Sequence, residues 1–146
     1  MRTFILPAFI CVLVMFSCKS QQYTPDSYEQ RQIVFGGGGG FTGAVDTYCL
    51  LDNGQLFHKA DLNVPFEKMK KVPKKSVKAL FDYIDEHELN KLSFSRPGNM
   101  YSFVDIKENN KGQHVVWDQS NTEKVPAELI SLHKRLMNVV KGAATK

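Results

Sequence analysis

Cysteine is scarce here: three among 146 residues, at positions 11, 18 and 49. No Cys-x-x-Cys pair occurs, and His58, His87, His114 and His133 show no metal-ligand spacing. A disulfide framework and a structural zinc site are therefore not expected. The Gly-x-Ser-x-Gly elbow and the calcium-loop pattern are also missing. Charge of one sign is lacking too. The formal balance is +4, and without Arg2 the chain carries 18 basic against 15 acidic residues, too even and too dispersed for a nucleic-acid surface. No apolar run reaches membrane-spanning length.

What is present begins with one short apolar run. Arg2 precedes 13 residues from Phe4 to Phe16 interrupted only by Pro7, and at 1.5 Å per residue these reach about 20 Å, short of a ~30 Å hydrocarbon core. That length suits the h-region of an export signal. The run ends at Met15-Phe16-Ser17-Cys18 and turns polar at once with Lys19-Ser20-Gln21-Gln22. This junction resembles the lipobox of bacterial lipoproteins, in which a small residue precedes a lipid-modified cysteine. The resemblance implies removal of residues 1–17, acylation of Cys18, and an exported protein anchored in the cell envelope, on the periplasmic face of the outer membrane. Several acyl chains, at roughly 0.8 kcal/mol per buried methylene, hold stably where one does not. A conventional signal cut near the same place is the other reading. The polar segment to Arg31 reads as a tether of roughly 20 Å, leaving 32–142 as the domain and 143–146 as a tail.

Within the domain, Gln32 to Phe35 and Thr47 to Leu51 are apolar strand candidates, and Asp52-Asn53-Gly54 marks a tight turn into Gln55 to Lys59. Val77, Leu80, Phe81 and Ile84 recur at helical spacing opposite Lys78, Asp82, Asp85 and Glu86. Arg96-Pro97-Gly98-Asn99 reads as a turn, and Tyr101 to Lys107 with Gln113 to Asp118 as a second hairpin. Pro126 opens a last helix striped by Leu129, Ile130, His133, Leu136, Met137 and Val140, with Gly142 as its stop. The expectation is an α+β fold of two layers, an antiparallel sheet of two hairpins covered by two helices in the order ββ-α-ββ-α. One domain of about 115 residues can bury its own core.

The glycine run Gly36 to Gly40 is the loudest local feature. Gly38, Gly40 and Gly43 have dinucleotide-fingerprint spacing, but an apolar strand follows where the pyrophosphate needs a helix N-terminus, so nucleotide binding is excluded. Two readings stay open: a flexible or bulged connection, and a partner-facing loop of Gly39, Gly40, Phe41, Thr42 and Gly43. Lys68, Lys70, Lys71, Lys74, Lys75 and Lys78 make a basic stretch that suits plain solvation, anionic headgroups or an acidic partner. Cys49, between Tyr48 and Leu50, reads as a small buried hydrophobe. Asp82, Asp85, Glu86 and Glu88 read as the wet face of a helix. Reactive residue types occur without a constellation, so no catalytic residue, cofactor or enzyme activity is expected.

Gly39-Gly40-Phe41-Thr42-Gly43 is similar to the Gly-Gly-Phe-Ala-Gly opening of emfourin-type inhibitors of thermolysin-like metallopeptidases. Tyr101-Ser102-Phe103 and the closing Val125-Pro126-Ala127-Glu128-Leu129 add to the likeness, diluted over Ile33 to Val140. The resemblance implies a protein-binding module with a metallopeptidase as partner. A structural or assembly lipoprotein, and a small-ligand carrier or hydrolase, stand as the alternatives.

Overall fold

Strand β1 (Gln32–Gly39) runs through the middle of a seven-stranded sheet, and everything else is arranged about it. The computed structural model describes residues 22–109 and 111–144; the leader and Cys18 lie outside them. On one side of β1 come β2 (Val45–Leu51), β3 (Leu56–Lys59) and β4 (Glu67–Lys68). On the other come β6 (Met100–Glu108), β7 (Lys111–Asp118) and the edge strand β5 (Ser95–Arg96). All neighbours are antiparallel except β5 and β7, so the sheet is mixed. Helices α1 (Lys74–Glu86) and α2 (Ala127–Ala144) complete an α+β fold.

Both helices pack on one face. Val77, Leu80, Phe81 and Ile84 of α1 and Leu129, Leu132, Leu136 and Val140 of α2 join Ile33, Phe35, Leu50, Leu56, Val104, Ile106, Val115 and Trp117 in one apolar core. Each large side chain buried this way contributes about 1.5–3 kcal/mol relative to exposure. The β2–β3 turn forms at the expected place. Gly54 adopts φ +92°, and its N–H donates to the Leu51 carbonyl at 2.9 Å.

The structure corrects the expected arrangement in four places. The sheet is not wholly antiparallel and is larger than two hairpins, because β5 runs parallel to β7 at one edge and β4 extends the other to make seven strands. The glycine run is not a connection. Gly36 to Gly39 continue β1 in register with Asp46 and Val45 of β2 and Tyr101, Ser102 and Phe103 of β6. A Cβ on Gly36 would stand 1.9 Å from the Asp46 carbonyl oxygen, and one on Gly39, at φ +98°, 1.9 Å from that of Asn99. Glycine is what lets these backbones approach. Gly142 does not stop α2, which continues to Ala144.

The fourth correction concerns the tether. The segment ahead of β1 is folded against the sheet face that the helices leave open. Tyr28 is 3% exposed, packed with Cys49, Leu51 and Phe57, and meets Tyr23 edge-on at 5.0 Å. The buried Gln32 amide donates to the carbonyls of Pro25 (3.2 Å) and Tyr28 (3.1 Å), and its oxygen accepts from the Cys49 thiol at 3.2 Å. A composition that looked merely polar thus holds an anchoring tyrosine, and the domain begins before residue 32.

Candidate binding surface at one end of the sheet

The strand register places the loop between β1 and β2 (residues 40–44), that between β3 and β4 (60–66), and the start of β6 at the same end of the sheet. Gly39 pairs with Met100, Gly38 with Val45, and Thr47 with Lys59. Among the described residues, the exposed large hydrophobic side chains are Phe41, Leu62, Val64 and Met100, and all four belong to this end. Scattered exposed apolar residues are ordinary, whereas their concentration at one end makes that end the candidate binding surface.

Phe41 stands fully exposed on a pinned turn. The Gly40 N–H donates to the Asn99 carbonyl (2.9 Å), that of Gly39 to Ala44 (3.2 Å) and that of Gly43 to Gly40 (3.3 Å). Gly40 and Gly43 hold φ of +74° and +62°, which only glycine adopts freely. The backbone that carries the ring therefore has little conformational freedom left to lose on binding. Phe41 and its glycines stand out in the sequence, whereas Met100, Leu62 and Val64 do not, because their exposure has no periodic signature.

Two cavities flank the strands. The larger, about 540 Å³, lies on the face away from the helices, floored by Val34, Phe103 and Val116, with Leu62 and Phe66 along one side. Its polar end holds Lys107 and the Asp105–His114 pair. The other, about 460 Å³, is a trough on the helix side above the glycine half of β1, where the strand itself contributes no side chains and the Gln119 amide reaches over Gly37. Its walls include Asp46 and Ser102, with His133 and Met137 of α2 beside them. Asp46 accepts from the Tyr48 hydroxyl at 3.0 Å and lies 2.5 Å from His58 Nε2. The Tyr48 ring stacks between His58 (4.6 Å) and Phe35 (5.6 Å). His133 sets its ring edge-on to Trp117 at 5.2 Å, and its buried Nε2 has no hydrogen-bond partner. Burial pushes the His133 imidazole below its ordinary value, and the ring's contact with the Gly36 backbone opposes that shift.

The basic stretch lies at the opposite end. The Val72 N–H donates to the Gly54 carbonyl (2.8 Å), which seats Lys70 and Lys71 beside the β2–β3 turn, and Lys74 and Lys75 occupy the first turn of α1. Lys78 pairs with Asp82 at 2.5 Å on the wet face of that helix. Cys49 is fully buried, and desolvation pushes its thiol up to about 12, so it is no nucleophile. Among the described residues no group of three His, Cys, Asp or Glu side chains could hold a metal ion. No protein-family model matches the chain, and no curated protein shows significant similarity to it.

Proposed function

We propose that this chain is an exported envelope lipoprotein, anchored through Cys18 on the periplasmic face of the outer membrane, whose domain binds a protein partner through the Phe41 end. The observation that carries the docking surface is the gathering of Phe41, Met100, Leu62 and Val64 on loops at one end of the sheet. The likeness of Gly39-Gly40-Phe41-Thr42-Gly43 to the emfourin-type opening supports a thermolysin-like metallopeptidase as that partner, with the chain acting as an inhibitor rather than as an enzyme. The folded strap from Tyr23 to Tyr28 leaves only a few residues between Cys18 and the domain, which keeps the domain close to the bilayer. A photo-crosslinking residue at position 41 should trap a metallopeptidase in intact envelopes, and the same residue at position 71, at the opposite end, should not. Equal yields at both positions would remove the Phe41 end from consideration.

The 540 Å³ cleft favours a second reading, carriage of a small amphipathic ligand, because its apolar floor adjoins a polar end.

A further inference from the structure

The turn between β2 and β3, residues 52–54, is met by two segments distant in sequence. On one side the Tyr28 hydroxyl of the strap bonds to Asp52, and Tyr23 stands edge-on against the Tyr28 ring. On the other the Val72 N–H donates to the Gly54 carbonyl, and the stem of Lys71 lies over Gly54, its Cε 3.4 Å from where a Cβ would stand. Lys70, Lys71, Lys74 and Lys75 are exposed there, and among the described residues none of the four makes an ion pair. The last turn of α2, which carries Lys141, closes on the same corner, where Gly142 and Ala143 border a groove of about 410 Å³ with Lys70 and Lys71. Three carboxylates on the neighbouring elements are engaged: Asp52 by Tyr28, Asp82 by Lys78 and Asp85 by Arg31. Lys74 and Lys75 oppose the α1 dipole, and no acidic residue or side-chain cap offsets them, so the helix's own stability does not account for their place.

We propose that this corner is the face the domain lays on the bilayer, its four lysines meeting anionic phospholipid headgroups while the Phe41 end points away. The position of the anchor carries the orientation. Cys18 stands five residues before Tyr23, a reach of at most about 18 Å, and Tyr23 belongs to the strap that meets this corner. The eight residues of β1 span about 26 Å from the corner to the Phe41 loop, so the anchored end and the docking end are opposite. Charge selects the occupant. Each lysine within a Debye length (about 8 Å) of an anionic surface favours contact by about fivefold. A domain anchored beside the corner always has such a surface in reach. This inference rests on the reading of Cys18 as a lipid anchor and adds which face meets the membrane.

The test reconstitutes the full chain into vesicles of phosphatidylcholine, alone or mixed with phosphatidylglycerol, and follows acetylation of each lysine by mass spectrometry. Lys70, Lys71, Lys74 and Lys75 should react at least about threefold more slowly in the anionic vesicles, with Lys59 and Lys124 unchanged. The protection should vanish in about 1 M salt, where the Debye length is about 3 Å. Equal rates in the two vesicle types, or equal protection of Lys59 and Lys124, overturns the proposal. Protection by inorganic phosphate without vesicles would make the corner an ion site. Protection in native envelopes but not in protein-free anionic vesicles would give it to an acidic protein, and either result also overturns the proposal. Flotation with neutral vesicles reads the anchor separately. A chain that floats with both lipids at equal lysine rates keeps the anchor and loses this face. One that floats and is protected with anionic vesicles alone keeps the face and loses the anchor.

Discussion

The Tyr28 hydroxyl donates a hydrogen bond to the Asp52 carboxylate, tying the strap ahead of β1 to the turn between β2 and β3. Burial and the facing carboxylate together raise the phenol's pKa above its ordinary value, so the proton stays on tyrosine throughout the physiological range. Beneath the ring lie Cys49, Leu51 and Phe57. Tyr28→Phe should cost about 1 kcal/mol, for the hydrogen bond, and Tyr28→Ala about 3 kcal/mol or more, for the buried ring. Denaturant unfolding reads both. Cys49, inert in the native chain, should react faster with a thiol reagent in Tyr28→Ala, and unchanged reactivity would mean that the strap does not guard this face.

Glycine acts oppositely at two positions. Gly36→Ala forces a methyl against the Asp46 carbonyl in the central strand and should destabilise by about 3 kcal/mol or more. Gly142→Ala, inside α2 with no atom within 4 Å of the new methyl, should stabilise by about 0.5–1 kcal/mol. The pair of unfolding midpoints checks whether the run is structural, since a merely flexible connection would accept alanine at position 36.

His133 makes stability depend on pH. Its folded value lies below the ordinary 6.5, so the native state holds it neutral while the unfolded state takes up a proton first. The contribution is fully present above pH 6.5 and is lost as pH falls from there through the folded value. Comparing melting temperatures between pH 7.5 and 5.5, the wild type should lose more than His133→Leu. Identical losses would show that the ring is solvated.

At the N-terminus, mass spectrometry of membrane-extracted protein should find a chain beginning at acylated Cys18. An unmodified start at Lys19 or later would replace the anchor with simple secretion.

Several of these features were legible in the sequence, for physical reasons. The α1 stripe was visible because Val77, Leu80, Phe81 and Ile84 repeat at helical spacing, and all four are buried. Asn53-Gly54 announced its turn through the positive φ that glycine permits. The glycine half of β1 was illegible because residues without side chains display no alternation, and its role depends on carbonyls of Asp46 and Asn99 that only tertiary pairing brings near. Two-residue strands such as β4 and β5 are too short to carry a period. Leu132, buried in α2, escaped the stripe read from its neighbours. Phe41 could be singled out as a loop residue. The trough could not, because Asp46, Ser102 and His133 come from three distant segments joined by register and helix packing.

The docking end is tested most directly by calorimetric binding of the full chain to a purified thermolysin-like metallopeptidase exported by the same cell, with wild type and Phe41→Ala compared. Phe41 is fully exposed, so its removal should leave the unfolding midpoint unchanged. Wild type should bind saturably, and the variant about tenfold or more weakly, as for an apolar interface anchor. No wild-type binding, or equal binding by both chains, would contradict that end's role.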